Sequence, residues 1–187
     1  MTRRSNGSII GVVPRGYRKR HGEVAMKPVD YVSALDAYYQ SQGFPPYRWS
    51  VFRTTTWTPF KKRLDRARVA LLCSSGISRR DQEPFDPLSR SNLSYRKIPK
   101  ATPAQDLVIN YAYYDHRDAD KDPNIVLPID RFRELEEDGF IGELAETAYG
   151  LGMGRMYQRT ALQTQLAPEI ASELKGARVD VLFCVPA

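Results

Sequence analysis

The chain has 187 residues, 42% of them hydrophobic and 27% charged, which suits one soluble globular domain with a real core and excludes a disordered chain. No apolar run reaches the roughly 18 residues of a membrane span and no apolar stretch follows the basic N-terminus as in a secretory signal, so the expectation is a cytoplasmic protein with no membrane partner. The formal net charge of +6 sits wholly in residues 1–27, where Arg3, Arg4, Arg15, Arg18, Lys19, Arg20 and Lys27 outnumber Glu23, and a basic tail on a neutral body lacks the charged, aromatic-lined face of a nucleic-acid binder.

Residues 1–66 read as an N-terminal arm: a basic tail, a short helix and an aromatic loop. Lys27-Pro28 opens the helix, Val32, Leu35 and Tyr39 recur at helical spacing, and Gly43 sits where it ends. Pro45-Pro46 then breaks the chain. Tyr47, Trp49, Phe52, Trp57 and Phe60 follow, and packing of the arm on the domain is the expected role for these rings. Residues 67–187 read as an α/β domain. Val69–Cys73 is a short apolar run closed by Ser74-Ser75-Gly76, a buried strand ending in a turn. Leu107–Ile109 is a second strand. Asn124–Pro128 leads into a helix with Asp130 as N-cap and Phe132 and Leu135 on its apolar face; Gly139 ends it. Ile141–Tyr149 continues as helix, residues 155–175 are helical but interrupted at Pro168, and Gly176 caps the end. Val179–Val185 is a third buried strand. Strands alternating with helices predict a Rossmann-like parallel sheet with flanking helices. Ligands in such sheets bind beyond the carboxyl ends of the strands, here Cys73–Gly76, Asn110–Asp115 and Cys184–Ala187.

The motifs at those ends carry the candidate chemistry. Main-chain N–H groups of the Cys73-Ser74-Ser75-Gly76 turn can cradle an anion, or the turn is a plain connection. His116 beside Asp115 has the makings of a general acid, or is a surface histidine in an acidic loop. Cys184, read as buried, fits an inert small hydrophobe better than a nucleophile. Gly150-Leu-Gly152-Met-Gly154 lacks the GxGxxG spacing, follows an expected helix and not a strand, and reads as a flexible connection. Asp118–Asn124 begins like a calcium loop, but Pro123 and Ile129 stand where glycine and glutamate are needed. No CxxC, CxxH or HExxH spacing exists, so no metal site is read, and Cys73 and Cys184 are expected to be reduced thiols.

The order of segments adds a resemblance. Ala70–Ile77, Gln82–Asp86 and Tyr95–Pro99 resemble blocks of the glycine/sarcosine/betaine reductase component B and D-proline reductase family. So do Tyr114-Asp115, Ala119, Asp122, Asn124, Pro128–Arg131, Glu134-Leu135, Gly139 and Ile141-Gly142, over roughly residues 58–185. The resemblance implies a subunit of a selenol- or thiol-dependent reductase cleaving a C–N bond in an amino acid or related amine. It also implies a partner subunit whose pyruvoyl group holds the substrate nitrogen. The family often has histidine four residues before the aspartate; this chain has Tyr111. In the family the selenocysteine or cysteine follows the strand matching Val179–Val185, so a selenocysteine just beyond Ala187 is expected, its UGA codon read as stop. On this reading Ser74, Ser75, Gly76 and Tyr114 bind substrate and Asp115 and His116 give acid–base contacts. Cys184 is the nearest thiol, although it lies within the strand. Asp122, Asn124 and Asp130 fix the loop and cap the helix. The other class of reading is a noncatalytic substrate-binding or partner subunit that keeps the fold without the redox residue.

Overall fold

The computed structural model describes residues 31–47, 51–54, 58–152, 154, 156 and 158–186, and the chain divides into two units, Met1–Trp57 and Thr58–Ala187. In the first unit the expected helix is present as α1 (Tyr31–Ser41), with Gly43 at φ 85° just past its end. The Tyr47 N–H donates to Asp36 Oδ1 at 3.1 Å and turns the following chain back along the helix. Tyr47, Phe52 and, in the second unit, Phe60 are exposed. The basic tail, Lys27-Pro28, Trp49 and Trp57 lie outside the described residues.

The second unit is built around β1 (Arg68–Cys73). Val69, Ala70, Leu71 and Cys73 are all buried, because both faces of this strand are covered. On one side β7 (Val181–Val185) runs parallel to it, in register from Val69↔Val181 to Cys73↔Val185. The other side is shared by β5 (Glu143–Leu144), beside Arg68 and Val69, and β6 (Thr147–Leu151), beside Leu72 and Cys73; both are parallel. Antiparallel β3 (Tyr95–Pro99) completes the sheet outside β6. The architecture is therefore a mixed α/β fold with a mostly parallel sheet. Side chains alternate across it. Val69, Leu71 and Cys73 join the core beneath helix α3 (Ile129–Glu137), whose Ile129, Phe132 and Leu135 they meet. Leu72, Tyr149 and Leu151 join the opposite core with Ile170 and Leu174 of helix α5 (Ala167–Gly176).

Several sequence expectations need correction. Leu107–Ile109 is a strand, β4, but it pairs antiparallel with β2 (Ile77–Arg79) in a separate two-stranded sheet. Ile141–Tyr149 is not helical. It contributes β5 and most of β6, because pairing with β1 overrides the helix preference of Glu143-Leu144-Ala145-Glu146. Pro168 does not interrupt its helix: α4 (Arg159–Ala161) runs through a π-turn (Leu162–Leu166) into α5, where Pro168 occupies the first turn and its missing N–H is tolerated. Asp130 is not an N-cap but lies inside the first turn of α3, where its N–H donates to Asn124 Oδ1 at 3.0 Å and its carboxylate receives Asn124 Nδ2 and pairs with Arg133. With Asp122 Oδ1 accepting both Asn124 nitrogens, at 3.0 and 2.9 Å, the three residues do fix this loop, and Asn124 does the capping.

Gly176 is the last residue of α5 and not its left-handed cap; that conformation falls to Arg178 at φ 55°. Val179 N donates to Leu174 O and Arg178 N to Lys175 O, the paired bonds of a Schellman end. Helix α3 ends the same way, with Gly139 in the left-handed place. Nor is Val179–Val185 a buried strand. β7 sits at the sheet edge, with Leu182, Phe183 and Cys184 exposed. Among the described residues no helix is long and apolar enough to cross a membrane.

Candidate functional site

The carboxyl ends of β1, β4, β6 and β7 meet at the turn after Cys73. Ser74 N donates to Val185 O (3.2 Å), Gly76 N to Leu151 O (3.0 Å), and Asn110 N to Gly76 O (3.0 Å). One turn thus ties three strand ends together. It needs glycine at its last position, where φ is +68° and a Cβ would lie 2.9 Å from the Asn110 carbonyl oxygen. Ser75 is wholly buried, its hydroxyl 3.1 Å from Cys73 Sγ and its N–H turned to the same sulfur. The N–H groups of Ser74 and Gly76 are thus engaged by strand ends, and that of Ser75 faces the Cys73 sulfur. Gly76 is buried too, and Ser74 is the half-exposed residue of the turn.

Beside the turn stands a row of rings from the segment after β4. Tyr111 lies 5.5 Å from both Tyr113 and Tyr114, and Tyr114 lies 5.4 Å from the His116 ring. Each tyrosine donates its hydroxyl hydrogen to a main-chain carbonyl: Tyr114 to Ser75 (3.3 Å), Tyr111 to Gly154 (3.0 Å), Tyr113 to Leu88 (2.8 Å). Burial pushes the Tyr114 hydroxyl up to about 12, so it is a hydrogen-bond donor and not a base.

His116 does not pair with Asp115. Its Nδ1 lies 2.8 Å from Asp120 Oδ2, one turn along α2 (Arg117–Lys121), and Asp115 is held by Arg117 at 2.6 and 2.9 Å. Hydrogen bonds from the Arg117 guanidinium hold the exposed Asp115 carboxyl below its ordinary value. Asp120 is a residue that sequence reasoning missed; its signal was the spacing of four from His116 at a helix start.

The thiols stand apart. Cys73 belongs to the core under α3, as do Tyr111 and Tyr114. Cys184 is the register partner of Leu72, which belongs to the core on the opposite face, so it projects away from Tyr114. The structure therefore groups Ser74, Ser75, Gly76, Tyr114 and His116, leaves Asp115 at the exposed rim, and puts Cys184 on the other side of the sheet. Burial pushes both thiols above their ordinary value, against the pull of the Ser75 bonds in the case of Cys73. Neither has the cationic surroundings that activate a thiolate.

The glycine run was also misread. Gly150 lies within β6, not after a helix, and the run is packed rather than flexible. A Cβ on Gly150 would overlap the Ile77 carbonyl oxygen, one on Gly152 would lie 2.5 Å from the Phe85 ring, and one on Gly154 2.7 Å from the Ser91 backbone. Its signal was alternation at strand period. A partly open cavity of 140 Å³, lined by Arg68, Glu143, Thr147 and Val179 among others, lies at the amino ends of the strands. Sheet polarity and the grouping of polar side chains favour the carboxyl ends over it. Among the described residues no cluster of His, Cys, Asp and Glu could hold a metal ion.

The sequence profile of the glycine/sarcosine/betaine reductase selenoprotein B family matches residues 45–185. The chain is 33% identical over 127 residues to the D-proline reductase subunit gamma of Acetoanaerobium sticklandii, covering 68% of this chain and 51% of that protein. It is 34% identical over 104 residues to the sarcosine reductase complex component B subunit beta of Peptoclostridium acidaminophilum, covering 53% of this chain and 23% of that protein. It is 27% identical over 178 residues to the glycine reductase complex component B subunit gamma of Carboxydothermus hydrogenoformans, covering 92% of this chain and 40% of that protein. The chain thus spans half or less of the length of these relatives. No solved structure matches it.

Proposed function

We propose, from the premise that this chain belongs to the glycine/sarcosine/betaine reductase selenoprotein B family, that it is a subunit of a selenol- or thiol-dependent reductase cleaving a C–N bond in an amino acid or related amine. The observation that carries the reading is the grouping of Ser74, Tyr114 and His116 at the carboxyl ends of β1 and β4, inside the stretch that matches the family. In this reading Ser74 meets an anionic group of the substrate at the rigid turn. His116, oriented through Nδ1 by Asp120, delivers a proton to the departing nitrogen from its other ring nitrogen. Tyr114 donates a hydrogen bond and keeps the histidine ring in place. A selenol or thiol, supplied by a selenocysteine beyond Ala187 or by another chain, would attack the α-carbon as the C–N bond breaks, and a second thiol would cleave the new carbon–selenium or carbon–sulfur bond, leaving a selenenylsulfide or disulfide for an external dithiol to reduce. A pyruvoyl group on a partner subunit engages the substrate nitrogen. A cytoplasmic location and a Rossmann-like sheet belong to the same reading.

The test is reconstitution with the partner subunits, following dithiol oxidation with D-proline, glycine, sarcosine or betaine. One of these should support turnover, and His116→Ala should lower it about 100-fold or more, the usual contribution of a positioned general acid. Turnover that His116→Ala leaves intact refutes the role given to His116.

A second reading is favoured by one observation: burial raises both thiols with no cation beside them among the described residues, and Cys184 lies on the other face of the sheet from Tyr114. It makes the chain a noncatalytic substrate-binding or partner subunit. Tight association with a partner, combined with a complex whose turnover is unchanged by His116→Ala and Cys184→Ser together, would select it.

A further inference from the structure

We infer that residues 85–94 form a strap latched across the carboxyl end of β6, and that its local release opens the strand-end site. The inference rests on the reading that substrate binds at these strand ends. The strap crosses the glycine run in close backbone contact. Gly152 N donates to Ser94 O (3.0 Å) and Met156 N to Arg90 O (2.6 Å) on one side. Ala112 N donates to Pro87 O (3.1 Å) and the Tyr113 hydroxyl to Leu88 O (2.8 Å) on the other. Gly152 and Gly154 lack side chains where the Phe85 ring, Asn92 and the Ser91 backbone lie, so the latch depends on those two glycines.

The strap is fixed at one end by Phe85, which is 3% exposed beneath the Arg96 guanidinium at 4.4 Å. Beyond Phe85 none of its residues is buried, and Leu88 is 68% exposed. Ser91 Oγ is buried without a hydrogen-bond partner among the described residues, a cost that opening would relieve. A segment held by a few main-chain bonds and one ring, beside a sheet whose central strand is mostly buried, is built to open by itself. Releasing it uncovers Leu151, Gly152 and Gly154 and the flanks of Tyr111 and Tyr113. These groups border the Ser74 turn through the Gly76–Leu151 and Tyr111–Gly154 bonds.

Native-state hydrogen exchange on the full-length protein tests this. The amides of Ala112, Gly152 and Met156, which donate into the strap, should exchange together and at least about 100-fold faster than those of β1. Tyr113→Phe, which removes one bond and leaves the fold intact, should speed these three by about three-fold or more without changing β1. Exchange of the three at the rate of β1 would show that the strap opens only on global unfolding and would overturn the proposal, as would a Tyr113→Phe effect spread equally over the sheet. Repeating the measurement with D-proline, glycine, sarcosine and betaine separates the two readings. Slowed exchange at the three amides supports both. Local opening that none of the four ligands alters upholds the strap as a moving element and overturns its link to the substrate site.

Discussion

At the scale of single residues, the two cysteines differ in environment more than in sequence. Cys73 is fully buried with its sulfur bonded by Ser75, whereas Cys184 stands exposed on an edge strand. One thiol per chain should therefore react with Ellman's reagent in the native protein and both after denaturation, and Cys184→Ser should abolish the native reaction. The rate at Cys184 should be below that of a free thiol at pH 7, since partial burial raises its proton affinity. Sequence reading assigned Cys184 to a buried strand because Val181-Leu182-Phe183-Cys184-Val185 is uniformly apolar; such a run reports strand, not which neighbours cover it. The partnership of Asp115 with His116 failed for a similar reason. Adjacent side chains at a helix start diverge, while residues four apart share a face, which gives His116 to Asp120 and leaves Asp115 to Arg117.

At the scale of elements, helix α5 is fastened to the sheet through two carboxylates, Glu169, which lies 2.8 Å from the Tyr95 hydroxyl, and Glu173. Glu173 Oε1 receives Lys97 Nζ (2.7 Å) and the Tyr95 hydroxyl (2.9 Å), and Oε2 receives the Tyr149 hydroxyl (3.1 Å). The Lys97 bond leads in holding this carboxyl below its ordinary 4.5, aided by the two tyrosines. A carboxylate whose folded value is depressed stabilises the fold above the unfolded value, and that contribution is lost as pH falls through the folded value. Glu173→Gln should therefore be less stable than the parent at pH 7, with the gap narrowing below about pH 4.5. Urea midpoints at pH 7 and about pH 3 check this; a gap of constant size would refute it. Elements with their own local signals were legible: β1 from its apolar run, α3 from Phe132, Leu135 and Gly139, and α1 from its spacing. Those decided by distant partners were not. Glu143–Leu151 carries good helix formers and becomes strand only because β1 and β3 need neighbours there, and Leu107–Ile109 could not reveal that its partner is β2.

At the scale of the whole molecule, β1 draws its neighbours from far along the chain. Val69 lies beside Val181, Leu72 beside both Tyr149 and Cys184, and the pairings are parallel, so no tight hairpin can form them. Loop closure over such lengths must precede any gain from pairing, and folds dominated by non-local contacts form slowly. Pulse-labelled exchange during refolding should find the β1 amides gaining protection only in the phase that protects β7; earlier protection of β1 would contradict this. The same geometry has a meaning for synthesis. β1 leaves the ribosome first among the strands of its sheet, carrying the apolar run Val69–Cys73, and then waits while more than a hundred further residues are made before β7 can cover it. Throughout that interval the future centre of the sheet is an adhesive surface, so the yield of native protein in a cell should depend on the chaperones that shield nascent chains.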